Sequence, residues 1–175
     1  QTAIIIVDLI LSKKKIHKNF LQLLGITAVC IAIKSEESFI YTLKNACEHC
    51  NNVYTTQQVS DMEEMILTTL KWKLQYPTSG EIARRLVQLS NHILNMNLVK
   101  FYKKIDNFID LAISDYDVGT FSPITVAVAA VMCAFENSLP HVETWRSLMM
   151  ENFNLDFENK IDVLYEYIIQ KLRKF

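Results

Sequence analysis

Two stretches of this chain give a helix almost no polar side to turn toward water. They are Leu21 to Ile33 and Val126 to Phe135, both rich in Ala, Val and Ile. A helix that lacks a polar face must be buried on all sides, so each stretch calls for a jacket of neighbouring helices. Small residues in both let those neighbours approach closely. Punctuation favours the same reading: 175 residues hold only 3 Gly and 3 Pro, and a sandwich or barrel needs more turn chemistry than that. The jacket is present. Val59, Met62, Ile66, Leu70 and Leu74 recur at helical spacing, as do Ile161, Leu164, Tyr165, Ile168 and Leu172. Thr55 or Thr56 can cap the first of these helices, and Pro77 lies soon after its end. Ser122-Pro123 opens another, with Pro at the first helical position. The pattern predicts helices over 2–12, 18–34, 38–50, 56–72, 79–95, 98–114, 123–137, 141–152 and 157–173. The expected fold class is all-α.

The halves resemble each other. Ile6-Val7-Asp8-Leu9-Ile10-Leu11-Ser12 lines up with Phe108-Ile109-Asp110-Leu111-Ala112-Ile113-Ser114. Ile26-Thr27 matches Ile124-Thr125, and the same offset places Met65-Ile66 and Leu70 on Val163-Leu164 and Ile168. Three matches in order at nearly one offset suggest a duplicated helical unit of about 100 residues. The chain's one Pro/Gly/Ser cluster, Pro77-Thr78-Ser79-Gly80, is the linker candidate.

Charge and composition narrow the function classes. Lys and Arg total 18 against 19 Asp and Glu, a net charge of -1. Gripping a phosphate backbone needs a basic excess. Half the residues are hydrophobic, which argues against disorder. The first apolar stretch, Thr2 to Leu11, is broken by Asp8, and a bilayer span needs about 20 apolar residues; no membrane segment and no signal peptide are expected. Four Cys (30, 47, 50 and 133) make no disulfide framework in a chain this size, and a reducing compartment is the natural reading. No nucleophile elbow, Walker motif, HExxH or dinucleotide fingerprint appears.

Leu21-Gln22-Leu23-Leu24-Gly25-Ile26-Thr27-Ala28, followed by Ile31-Ala32-Ile33-Lys34-Ser35-Glu36-Glu37, resembles the central helix of a cyclin box. Tyr54-Thr55, Gln58, Met62-Glu63, Ile66-Leu67, Leu70 and Pro77-Thr78 resemble the fifth helix of that box and its exit. Asp115-Tyr116, then Ser122-Pro123-Ile124 with Ala127, Ala129 and Ala130, resembles the matching part of a C-terminal cyclin fold. The resemblance implies a tandem repeat of two five-helix cyclin-box bundles, each around a buried central helix, with the N-terminal box over 1–77 and the C-terminal fold over 78–175. It places the start of the chain inside the second helix of the box. The first helix is expected to be absent, and a chain that opens on Gln1 is expected to be a fragment.

The resemblance also implies a function: an activating regulatory subunit of a cyclin-dependent protein kinase, itself not an enzyme. Such a subunit packs on the kinase's C-helix and remodels its activation loop. It is monomeric in itself, forms a heterodimer with the kinase, needs no cofactor or metal, and works in the nucleus and/or cytoplasm without nucleic acid or membrane. The family's signature Lys and Glu match Lys34 and Glu63. Glu63, Leu67, Leu70 and Leu74 fall on one helix face by their spacing, and Trp72 matches an aromatic kinase-contact position. Ser35 stands where the family usually carries an aromatic contact. Gln22 matches a residue of the substrate-docking groove, whose other members belong to the absent first helix. The plainer reading is that Lys34 and Glu63 form a local ion pair and Trp72 fills the core.

Other signals are weaker. Cys47-Glu48-His49-Cys50 supplies two or three zinc ligands and no second pair to close a tetrahedron; a partly buried helix end is expected. Lys13-Lys14-Lys15 with His17 and Lys18 is expected to be a solvated connection. Asp110, Asp115 and Asp117 cluster near a helix end with nothing to pair them as acid and base. Two alternatives stand beside the kinase activator. One is a cyclin-like scaffold that binds a non-kinase partner or holds a kinase without activating it; the other is a transcription-factor core on the same fold, which would need a basic face.

Overall fold

The computed structural model describes residues 1–36, 40–94, 98–135, 139–153 and 160–172. Glu37 and the predicted helical residues 38–39, 95, 136–137, 157–159 and 173 lie outside them. The chain divides into two compact units, Gln1–Tyr76 and Pro77–Phe175. Every regular element among the described residues is helical.

The first unit contains α1 (Thr2–Lys13), a 3-10 turn (Lys18–Phe20), α2 (Leu21–Glu36), α3 (Leu43–His49) and α4 (Thr56–Thr69). The second contains α5 (Ser79–Leu94), α6 (Leu98–Ile113), a 3-10 turn (Val118–Thr120), α7 (Pro123–Ala134), α8 (Leu139–Phe153) and α9 (Asp162–Leu172). Local chemistry starts several of them. Thr42 and Asn45, and likewise Thr55 and Gln58, form reciprocal capping boxes that satisfy otherwise orphaned N–H groups. Thr78 and Glu81 do the same: Thr78 Oγ1 accepts from the Glu81 N–H at 3.2 Å, and the Glu81 carboxylate accepts from the Thr78 N–H at 2.9 Å. The expected linker cluster is therefore largely a helix start, with Ser79 and Gly80 already in α5. Ser122 caps α7, whose first residue is Pro123. The helix expected from 38 begins only at Leu43, because Thr42 is its cap.

Each unit is arranged around one helix. In the second, every residue of α7 from Thr125 to Ala134 is buried. One side of α7 meets Ala83, Leu86 and Val87 of α5, Phe101 and Ile105 of α6, and Trp145 of α8. The other meets Ala112 of α6 with Leu164 and Ile168 of α9. In the first unit, Ala28 and Ile31 of α2 pack on Ile6 and Ile10 of α1 and on Ile66 and Leu70. Leu23 and Cys30 pack on Ala46 and Cys47 of α3 and Val59 of α4.

Burial on all sides holds for α7 and fails for α2. Leu21 is 45% exposed and Val29 is 40% exposed. The repeat explains the difference. Val29 corresponds to Ala127, which is fully buried in the cluster that α5 completes. Among the described residues, the first unit has no helix in the place of α5. Taken with its leading turn, Lys18–Glu36 is long and apolar enough to cross a membrane by length and composition. Its apolar side chains Leu24, Ala28 and Ile31 are instead packed in the unit's core.

Candidate functional site: a surface patch on the first unit

Lys34 lies in the last turn of α2, after the buried residues of that helix, so its ammonium emerges at the core's edge. The cation also suits the negative end of the helix dipole. There it meets Glu63 of α4. Lys34 Nζ donates to Glu63 Oε1 at 2.7 Å and to Oε2 at 2.9 Å. The side chains retain 37% and 17% of their exposure, so the pair is half-buried and reachable. The ion pair of the plainer reading is thus formed, and formed at the surface. An ammonium has three donors and each carboxylate oxygen two lone pairs. The joined pair can still offer several carboxylate acceptor sites to an incoming backbone. Below it lies Cys30, whose thiol burial pushes above its ordinary range while the Lys34 ammonium works against that shift.

Trp72 does not fill the core. It is 72% exposed, and the backbone explains why. Helix α4 stops at Thr69 with Leu70 as its C-cap. The Trp72 N–H bonds back to the Leu67 carbonyl at 2.9 Å and the Lys71 N–H to the Thr68 carbonyl at 3.1 Å, the two bonds of a Schellman ending. That ending requires left-handed backbone, and it is Lys71 and Trp72, not glycine, that supply it, at φ 52 and 60. The turn lifts the indole off the helix and into solvent.

The same stop corrects the expected apolar strip. Leu70 is 3% exposed and belongs to the core cluster with Ile66, so it is not on the patch. Leu74 lies beyond the helix and packs half-buried against that core, as Leu67 does from α4. Ser35 is exposed, with its hydroxyl turned back to the Ala32 carbonyl at 2.9 Å. Gln22 stands apart near the start of α2, its Oε1 accepting from the Tyr54 hydroxyl at 3.2 Å. The patch therefore comprises the Lys34–Glu63 pair with exposed Trp72 and half-buried Leu67. The positioning roles of Tyr54 and Lys71 leave no mark in the sequence, which places Tyr54 before a cap and shows no glycine where Lys71 turns.

The other candidates are local structure. Cys47 and Cys50 are buried, and Cys50 Sγ donates to the Ala46 carbonyl at 3.3 Å. His49 Nδ1 lies 2.6 Å from the Asn45 carbonyl and 3.2 Å from the Tyr41 hydroxyl. Among the described residues no three His, Cys, Asp or Glu side chains are grouped to hold a metal ion. Lys13, Lys14, Lys15 and Lys18 are exposed.

Residues 1–75, which carry this patch, match the family model described as "Cyclin, N-terminal domain". The chain is 32% identical over 149 residues to a putative cyclin-A3-1 of Arabidopsis thaliana, covering 85% of this chain and 42% of the relative. Residues 1–75 thus match a cyclin N-terminal domain, and the chain as a whole is similar to cyclins. It is also 29% identical over 129 residues to a G2/mitotic-specific cyclin-2 of Medicago sativa, covering 74% of this chain and 38% of that one. The chain thus spans about two fifths of the length of these relatives. The fold extends further than the family model's match. A viral cyclin from herpesvirus saimiri superposes on 95% of this chain and 73% of its own with a TM-score of 0.75, at 19% identity. The expected all-α cyclin fold is the fold observed.

Proposed function

We propose that this chain is a regulatory, activating subunit of a cyclin-dependent protein kinase, not an enzyme itself. The observation that carries the reading is the preformed Lys34–Glu63 pair at the surface, with an exposed indole on a left-handed turn just past the end of α4, the helix that carries Glu63. Left-handed backbone at two bulky residues is costly and persists where surrounding structure fixes it, often at functional surfaces. Aromatic anchors commonly dominate interface energy. In this reading Trp72 and Leu67 bury against the kinase's C-helix, and Lys34 and Glu63 bond its backbone. The contact holds the C-helix where its Glu reaches the ATP-positioning Lys, a condition for phosphoryl transfer. The cyclin need only bind the active kinase conformation better than the inactive one. The partnership is a heterodimer of one kinase and one cyclin, in the nucleus and/or cytoplasm, without cofactor, nucleic acid or membrane.

Ser35 favours a second reading. Its side chain is short and turned inward, so the patch has one outward contact fewer than expected. A scaffold that binds its partner without activating it would tolerate that. Mixing the chain with a panel of monomeric cyclin-dependent kinases and measuring histone phosphorylation separates the two. Activation at least tenfold, lost in Lys34→Ala/Glu63→Ala at unchanged helical content, supports the activator. Binding without activation selects a scaffold that holds a kinase, and no binding to any kinase sinks the activator and leaves only a scaffold for a non-kinase partner.

A further inference from the structure

The second unit carries a surface that the kinase reading leaves unused. At the corner between the 3-10 turn Val118–Thr120 and α9, a cavity of about 80 Å³ opens between Asp117, Val118, Phe121, Val163 and Tyr167. Small-molecule sites run from roughly 300 to 1,000 Å³; this one suits a single aliphatic side chain. Val163 and Tyr167 also floor a more open depression of about 500 Å³ along α9, bordered by Asp162, Glu166 and Gln170. One deep hole beside a shallow trough fits an extended peptide with one buried anchor. The surroundings are apolar and accessible: Val163 is 55% exposed and Tyr116 is 90% exposed.

Asp117, Asp162 and Glu166 are the charged residues lining the two depressions. Arg146 pairs with Asp162. Asp115 accepts from the Tyr167 hydroxyl at 2.9 Å and from the Asp117 N–H at 3.0 Å, which braces the rim. The carboxylates of Asp117 and Glu166 are exposed, and among the described residues neither has an ion-pair partner. Negative potential around an apolar hole favours a basic, apolar-centred ligand.

The repeat supplies an internal control. The offset that places Ile26-Thr27 on Ile124-Thr125 also places Phe20, Leu23 and Met65 on Val118, Phe121 and Val163. Those three residues line a cavity at the same corner of the first unit. The hole is thus a property of the repeated unit. The charge is differently placed: Asp117 and Glu166 correspond to the neutral Asn19 and Thr68, and Tyr116 to Lys18, while the first unit's cavity carries the single acid Asp61 on its lining.

We infer that this corner of the second unit docks a short basic segment of a partner protein, with an aliphatic side chain in the cavity and Lys or Arg on either side facing Asp117 and Glu166. The probe is a fluorescein-labelled heptapeptide of lysines with one central leucine, titrated with the 175-residue chain and followed by anisotropy. Saturable binding is expected, weakened at least tenfold when the central leucine is replaced by glycine. Asp117→Asn/Glu166→Thr, which installs the first unit's residues, should weaken binding at least tenfold with helical content unchanged. Val163→Asp decides between docking and diffuse attraction: it adds negative charge but puts a carboxylate at the mouth of the hole. Binding lost in Val163→Asp supports the proposal. Binding as tight as wild type in that variant, or unaffected by Asp117→Asn/Glu166→Thr, overturns it.

Discussion

Lys34 and Glu63 are already joined in the free chain, and that sets what their removal should do. A solvent-reachable pair contributes about 0–1 kcal/mol to stability. Lys34→Ala and Glu63→Ala are therefore expected to shift the urea midpoint little, while kinase affinity falls at least tenfold by calorimetry. A large loss of stability in either variant would mark the pair as structural. Lys71 gives the opposite case. Its left-handed backbone costs about 1 kcal/mol relative to glycine, so Lys71→Gly should raise unfolding free energy by about that amount in urea titrations. Of the patch, Lys34 and Glu63 were legible in the sequence because a charged residue ending an apolar helix has to emerge somewhere. Trp72's exposure and Leu70's burial were not. Both depend on α4 ending at Thr69, and no Gly or Pro marks that stop. Helical spacing continued on paper to Leu74, where the chain had already turned.

The helix starts were readable because side-chain capping leaves a local signature, and the Thr78–Glu81 box shows what one contributes. The backbone and hydroxyl bonds from Thr78 hold the Glu81 carboxyl below its ordinary value of 4.5. A depressed carboxylate stabilises the fold above the unfolded value, and that stability is lost as pH falls through the lower folded one. Thr78→Ala should cost about 1 kcal/mol at neutral pH. Glu81→Gln should cost less and flatten the decline in stability below pH 4.5, as followed by circular dichroism melts across that range. The two central helices differ at equivalent positions. Ala127→Asp buries an unpaired charge and should destabilise by more than about 3 kcal/mol. Val29→Asp meets partial solvent and should cost under about 1 kcal/mol. Equal costs in chemical denaturation would mean that the face of α2 is covered after all. Composition predicts one state for both helices, all-round burial, because it reports that a helix is apolar and not how many neighbours surround it.

For the whole molecule, duplication was the most informative signal. Matched fragments at one offset identified paired helices, and their packing agrees: Ile66 and Leu164 lie in the cores beneath α2 and α7, as do Leu70 and Ile168. What the offset could not show is that α5 makes the second unit a five-helix bundle while the first shows four α-helices among the described residues. That asymmetry predicts a stability gradient, with the amides of α7 exchanging last and those of α2 sooner. It also sets the baseline for the decisive measurement: amide hydrogen exchange of the chain alone and bound to a monomeric cyclin-dependent kinase, read by mass spectrometry. The kinase-activator account predicts at least tenfold slower exchange at the end of α2 around Lys34 and through α4 to Trp72, with the exchange of α9 unchanged. Protection confined to the second unit, or a bound complex with no protection at Lys34, Glu63 and Trp72, would contradict it.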